Sequence, residues 1–269
     1  MKKTKVLGVS VNDYGGVGIP LIFVHSFPLS SHMWDKQVVY FKDKYRVITY
    51  DIRGLGESAT DDNVYSMEKL VNDFFHILNS LKVQKVNACG LSMGGYILLR
   101  AILKDITRFN SLILVNTKAN KDDDEVILKR SSAVIKIKSG GREAYLQKLL
   151  PELISSNNTE AAKIISNIVS GNTDEGICGN LLALSTRTNT IEKLQELNIP
   201  LLLLSGIQDK INNDSESENI FNHLKNTRKP SSFTSLIKMK ECGHLCNLEK
   251  SVEFNKILEW FLKGIEIST

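Results

Sequence analysis

The pentapeptide Gly90-Leu91-Ser92-Met93-Gly94 constrains this chain more than any other segment. It stands between a short apolar run, Lys85-Val86-Asn87-Ala88-Cys89, that reads as a buried strand, and Tyr96 to Leu103, which reads as a helix. A residue at a sharp strand-to-helix turn is pressed into a strained backbone conformation. The two elements meet there only if their neighbours are small, and Gly90, Gly94 and Gly95 are. The Ser92 hydroxyl would then stand at the carboxyl end of the strand, beside a helix N-terminus whose free N–H groups favour negative charge. Taken alone, the same five residues also describe a glycine-rich turn with an incidental serine.

Distant residues separate the two readings. A serine hydroxyl is a weak nucleophile unless a base takes its proton and an acid orients the base. The pentapeptide resembles the G-x-S-x-G nucleophile elbow, and in the fold that carries that elbow the acid follows in the chain, and then the histidine. Of the five histidines, His25, His32, His76, His223 and His244, only the last two lie far downstream. His223 sits in a helix-like stretch. His244 occupies the loop Glu241-Cys242-Gly243-His244-Leu245 after the strand-like Ser235 to Lys240, and it is the expected base. The apolar run Ile199 to Gly206 reads as a buried parallel strand and is followed by Ile207-Gln208-Asp209. Asp209 is therefore the expected acid, while Asp214, Glu216 and Glu218 read as the start of a solvated helix. The run Leu112 to Val115 ends in Asn116, which is neutral and cannot serve as an alternative acid.

Upstream, Pro20 to Val24 reads as a strand and leads into His25-Ser26-Phe27-Pro28. With this segment the chain resembles the α/β-hydrolase superfamily, in the branch with H-G-F-P after the third strand. Gly90 to Gly95 is similar to 3-oxoadipate enol-lactonases and related carboxylesterases and perhydrolases. Asp51-Ile52-Arg53-Gly54-Leu55-Gly56-Glu57-Ser58 resembles the family's D-x-R-G-x-G-x-S turn, and Asn116 to Ala119 the segment that enters the cap. The likeness spans almost the whole chain and is weakest between about 120 and 190. It implies an oxyanion hole made by the backbone N–H groups of Phe27 and Met93. Ser26 departs from the family's glycine, so either the loop is displaced or a hydroxyl donor is added. Phe27-Pro28 is a candidate cis peptide.

Short apolar runs alternate with helix-like runs along the 269 residues, which implies a mostly parallel eight-stranded sheet with helices on both faces. The stripes Val71, Phe74, Phe75, Leu78, Leu81 and Phe254, Ile257, Leu258, Phe261, Leu262 read as core. Lys5 to Val11 reads as a first strand at the sheet edge. Residues 118–189 break the alternation with helix-like stretches at 126–138, 143–150 and 159–169. They read as a helical cap inserted between strands six and seven of a core made of 1–117 and 190–269. Trp34 is a candidate substrate-binding neighbour of the site, or core.

The net charge of +4 is scattered, with no basic stripe, so nucleic acid is not an expected partner. No apolar run reaches the roughly twenty residues of a membrane span, and the N-terminus lacks a signal-like apolar region, so a cytoplasmic protein is expected. Cys242-Gly243-His244-Leu245-Cys246 offers two thiols and an imidazole. A structural zinc wants four ligands, so reduced thiols and no metal are expected. Should Cys242 and Cys246 approach each other, their oxidation would affect His244.

The expected activity is hydrolysis of a small carboxylic ester or lactone by Ser92, His244 and Asp209 without a cofactor. The same residues serve perhydrolysis or carbon–carbon bond hydrolysis, and a slow ligand receptor on this fold is the alternative from another class. A substrate with a carboxylate would need a cation, for which Arg53, Arg130, Arg142 and Arg187 are candidates. The sequence leaves homo-oligomerisation open.

Overall fold

A computed structural model describes residues 1–59, 64–155, 158–227 and 233–267. Among these, eight strands form one sheet: β1 (Lys2–Val6), β2 (Val9–Asp13), β3 (Leu21–Val24), β4 (Val47–Tyr50), β5 (Val86–Leu91), β6 (Phe109–Val115), β7 (Leu201–Gly206) and β8 (Thr234–Met239). Their order is β1-β2-β4-β3-β5-β6-β7-β8. The β1–β2 and β2–β4 pairs are antiparallel, and all others are parallel. Every residue of β3, β5 and β7 is buried, as expected of parallel strands covered on both faces.

The opening run is not one strand. It is the β1–β2 hairpin, closed by Leu7 and Gly8 with φ of 48° and 82°. Two consecutive positive φ values give a turn whose twist matches that of paired strands, which is why so short a reversal works.

The helices are α1 (Asp35–Phe41), α2 (Met67–Ser80), α3 (Met93–Lys104), α4 (Asp124–Lys136), α5 (Arg142–Leu149), α6 (Thr159–Ser170), α7 (Asp174–Ser185), α8 (Ser215–Thr227), α9 (Cys246–Glu249) and α10 (Ser251–Ile267). On α2, Val71, Phe74 and Leu78 are buried and Phe75 is half-buried, as is Leu81 just past the helix end. On α10, Phe254, Leu258, Phe261 and Leu262 are buried. Trp34 packs into this core. It is fully buried, with its ring 4.8 Å from that of Phe23 and 6.0 Å from that of Phe254. Burying a side chain of this size stabilises the fold by roughly 1.5–3 kcal/mol, so packing accounts for the residue.

Between β6 and β7 the chain runs through α4, α5, α6 and α7 and a 3-10 turn at Ile191–Glu196. The first three helices match the helix-like stretches read from sequence. The fourth, α7, lacks a polar face: Gly176 to Leu181, Ala183 and Leu184 are buried, so no helical stripe marks it in the sequence. It packs on the Arg53–Gly56 turn, where Asn180 Nδ2 donates to the Arg53 carbonyl at 2.8 Å. No helix among the described residues is long and apolar enough to cross a membrane.

Candidate active site

Ser92 lies between the end of β5 and the start of α3 with φ 53° and ψ −112°. This left-handed backbone is rare for a side chain other than glycine and is held by the surroundings. Ser92 N–H donates to the Val115 carbonyl at 2.9 Å, and Thr117 Oγ1 and Tyr96 N–H donate to the Ser92 carbonyl at 2.9 and 3.0 Å. Close approach explains the glycines. A Cβ on Gly90 would lie 2.6 Å from the Gly94 carbonyl oxygen. One on Gly94 would lie 2.7 Å from the Val24 carbonyl carbon. The second contact brings the start of α3 against the end of β3, where the His25–Pro28 loop begins.

That loop is rigidly braced. His25 Nε2 accepts the Ile52 N–H at 2.7 Å, so the ring proton is on Nδ1, which donates to the Ser26 carbonyl at 2.9 Å. Burial pulls the His25 pKa below its ordinary value, and the nearby Asp51 only partly opposes this. Asp51 Oδ1 accepts the Ser31 N–H at 2.7 Å and Oδ2 accepts the Glu57 N–H at 2.8 Å. The D-x-R-G-x-G-x-S turn thus fixes the loop from the next strand. Phe27-Pro28 is cis. Ser26 has no positive φ, so serine fits where glycine is usual, and its hydroxyl donates to the Phe27 carbonyl at 3.1 Å. It therefore adds no donor to the site. The backbone N–H groups of Phe27 and Met93 bond to no described residue.

Asp209 and His244 come together at the ends of β7 and β8. His244 Nδ1 and Asp209 Oδ2 are 2.8 Å apart, with side chains 1% and 0% exposed. Asp209 Oδ1 accepts the N–H groups of Ile211 and Asn212 at 2.7 and 3.0 Å, which fixes the carboxylate. A carboxylate only accepts, so Nδ1 carries the imidazole proton and Nε2 keeps its lone pair. Nε2 bonds to no described residue, and neither does Ser92 Oγ. His223 lies on α8, away from this pair in the chain.

Asn116, read from sequence as a neutral residue in place of an acid and as the start of the segment entering the cap, is the hub of the site. It is 1% exposed, and its Nδ2 donates to the His244 carbonyl at 2.7 Å and lies 3.2 Å from the Gly243 carbonyl and 3.0 Å from Cys246 Sγ. Its Oδ1 accepts the Gly206 N–H at 2.8 Å. Asn212 Nδ2 donates to the Asn116 carbonyl at 2.8 Å. Ser92 is bonded to Val115 and His244 to Asn116, so consecutive residues at the end of β6 tether the serine and histidine segments. The signal available in the sequence was a polar residue closing an apolar strand. Cys242 and Cys246 do approach each other, with Sγ atoms 3.5 Å apart, both buried and unlinked. Burial pushes the Cys246 thiol well up, which favours the unreactive neutral form.

The helical stretch between β6 and β7 also reaches the site. Leu245 N–H donates to the Leu153 carbonyl at 3.1 Å, and Glu249 accepts the N–H groups of Gly243 and Ser155 at 2.9 and 2.8 Å.

Comparisons with known proteins agree with this architecture. The family model for the alpha/beta hydrolase fold matches residues 19–153. The chain is 28% identical over 245 residues to 3-oxoadipate enol-lactonase 2 of Acinetobacter baylyi, covering 90% of this chain and 88% of the relative. It is 26% identical over 218 residues to a bifunctional esterase/perhydrolase of Acinetobacter calcoaceticus, covering 74% of this chain and 78% of that protein. A thermophilic esterase from Thermogutta terrifontis, solved with malate bound, superposes with a TM-score of 0.90 at 27% identity, covering 98% of this chain and 99% of the esterase. The elbow, the sheet order and the family match together establish that the chain belongs to the α/β-hydrolase fold family.

Proposed function

We propose that the protein is a serine hydrolase that cleaves a small carboxylic ester or lactone through an acyl-enzyme. One observation carries the reading: the buried His244–Asp209 pair is tethered through Asn116 to the strand end that also holds the elbow serine. Ser92 Oγ attacks the carbonyl carbon while His244 Nε2 takes its proton. Asp209 keeps the proton on Nδ1 and stabilises the imidazolium that forms. The open N–H groups of Phe27 and Met93 bind the oxyanion, a contribution worth roughly a hundred- to a thousandfold in rate per donor. The protonated His244 then releases the alcohol, and a water that it deprotonates frees the acid and Ser92. The helices between β6 and β7 act as a cap over the serine. Relatives named as an enol-lactonase and an esterase support this class of substrate.

The relative named as an esterase/perhydrolase favours a second reading, in which hydrogen peroxide replaces water at the acyl-enzyme and a peracid leaves. The test is hydrolysis of p-nitrophenyl esters from acetate to decanoate by wild type and Ser92→Ala, repeated with peroxide while peracid is measured. The variant is expected to lose at least about a thousandfold. Equal rates in the two proteins would overturn the serine mechanism. Turnover by neither would shift weight to a ligand receptor on the same fold.

A further inference from the structure

The helix α6 is fastened at each end to one of the two loops that flank the elbow serine. Its twelve residues, Thr159–Ser170, span about 18 Å at a rise of about 1.5 Å per residue. Ala161, Ile165 and Val169 recur every four residues and bury one face. The helix packs on the turn Ser31–Trp34, which follows the His25–Pro28 loop. Both ends are capped. Asn158 Oδ1 accepts the Ala161 N–H at 3.0 Å. At the other end Arg142, one of the arginines that the sequence offers to a substrate, donates from Nη2 to the Val169 carbonyl at 3.1 Å and reaches Asp174 at 3.4 Å. A cation there also suits the negative end of the helix dipole.

The N-terminal end is tied to the His244 loop. Asn158 N–H donates to the Ser155 carbonyl at 3.3 Å. Glu249 Oε2 accepts the Ser155 N–H at 2.8 Å and the Ser155 hydroxyl, while its Oε1 accepts the N–H of Gly243 at 2.9 Å. One carboxylate therefore bridges the approach to α6 and the residue before His244. The Leu153 carbonyl accepts the Leu245 N–H at 3.1 Å on the other side of the histidine. The two backbones nearly touch: a Cβ on Gly243 would lie 2.8 Å from the Ser155 nitrogen and 2.9 Å from the Ile154 carbonyl carbon. His244 is thus held from one side by Asn116 and from another by the segment that leads into α6.

The C-terminal end is tied to the His25–Pro28 loop. Asn172 N–H donates to the Val169 carbonyl at 3.0 Å, which joins it to the last turn of α6. Its side chain is buried, with Nδ2 donating to the Pro28 carbonyl at 2.6 Å and Oδ1 accepting the Gly56 N–H at 2.8 Å. His25 and Asp51 fix the flanks of that loop through Ile52 and Ser31. The Pro28 carbonyl between those flanks is fixed by Asn172.

We propose that α6 is a strut that sets the position of the His25–Pro28 loop relative to His244, with Asn172 and Glu249 as its positioning residues. The strut rests on the serine-hydrolase reading above, in which His244 Nε2 and the Phe27 N–H act on one carbonyl group. Those two groups belong to loops more than two hundred residues apart in the chain, so their separation is set by tertiary contacts alone. A reacting geometry misplaced by about 1 Å loses about a hundredfold in rate.

The test compares kcat and KM for p-nitrophenyl butyrate in wild type, Asn172→Ala, Glu249→Ala and the double variant, with thermal melting of each. Either single substitution is expected to lower kcat by about ten- to a hundredfold and to leave KM within about threefold. Both remove the same constraint, so the double variant is expected to lose no more than about threefold beyond the more damaged single variant. Their stability losses are expected to add, because the two sites share no partner. A role in stability alone moves the melting temperature and leaves kcat of the folded protein unchanged. Where an alanine variant fails to fold, Asn172→Asp, which keeps the Gly56 bond and loses the donor to Pro28, and Glu249→Gln, which accepts on one side only, carry the same comparison. An unchanged kcat in either single variant, or kcat losses that multiply in the double, overturns the proposal. The proton resonance of His244 Nδ1, recorded without substrate, decides the strut without turnover. Asn172→Ala is expected to shift it, although the side-chain bonds of Asn172 run to Pro28 and Gly56; an unmoved resonance overturns the strut. Hydrolysis that survives Ser92→Ala, or turnover by none of the proteins, refutes the serine reading, and the resonance then still decides whether α6 couples the two loops.

Discussion

Asn116 offers the sharpest test of how the site is held. Asn116→Ala leaves at least two buried groups without partners, the Gly206 N–H and the His244 carbonyl, bonded now at 2.8 and 2.7 Å. At about 1–3 kcal/mol for each orphaned group, the loss is about 2–6 kcal/mol, a large share of the roughly 5–15 kcal/mol that holds a domain folded. Alanine is also less at ease than asparagine at the φ of 44° found there. Asn116→Asp separates the hydrogen bond from the shape. Its Oδ1 still accepts from Gly206, but the other oxygen confronts the His244 carbonyl, two acceptors with no proton between them. Burial raises the new carboxyl above the usual carboxylate value of about 3.9. Once protonated it can donate to His244 as the amide did. An acid whose folded pKa is raised destabilises progressively as pH climbs from its unfolded value through its folded one. The deficit of Asn116→Asp relative to wild type should therefore be smaller at pH 5 than at pH 8. Urea unfolding followed by tryptophan fluorescence at the two pH values measures it, with p-nitrophenyl acetate hydrolysis as the readout for His244. A cost below about 1 kcal/mol for Asn116→Ala, or an Asn116→Asp deficit that does not shrink at pH 5, would refute the reasoning.

Other substitutions probe neighbouring parts of the scaffold. Gly94→Ala places a Cβ 2.7 Å from the Val24 carbonyl carbon and 3.0 Å from the His25 carbonyl oxygen, so it should cost about 1–3 kcal/mol or more and reduce activity by moving the His25–Pro28 loop. Gly171→Ala, whose nearest neighbour would be 3.9 Å away, is the silent control, and thermal melting distinguishes the two. Trp34→Ala should lower stability by about 3–5 kcal/mol while Trp34→Phe keeps the ester chain-length profile; a changed profile in the latter would return Trp34 to the pocket. His25 has a folded pKa depressed by burial, so its contribution to stability is complete above the unfolded value of about 6.5 and is lost as pH falls towards the folded one. Long-range nitrogen–proton NMR should find the neutral Nδ1–H form persisting at pH 6.5, where a free imidazole is half charged, and a ring that titrates at 6.5 or above is incompatible with its two hydrogen bonds.

Much of the fold could be read in one dimension because its signals are local. Apolar runs at β3, β5 and β7 mark strands buried on both faces, and small residues around Ser92 mark a turn where two backbones nearly touch. Chain order and strand ends point to Asp209 and His244, and the structure places their side chains 2.8 Å apart. Where a signal depended on partners distant in the chain, the sequence was silent. Leu7-Gly8 reads as part of a strand because nothing local requires its two positive φ values; the pairing of β1 with β2 does. The helix α7 has no polar stripe because it is buried on nearly every side, and Trp34 could be assigned to core or pocket only once Phe23 and Phe254 stood beside it. Asn116 and Asn172 show the limit most plainly. Residue type says that each can hydrogen-bond, but which partners it meets, the His244 carbonyl and the Gly206 N–H at Asn116 or the Pro28 carbonyl and the Gly56 N–H at Asn172, depends on backbone groups that folding alone brings within 3 Å.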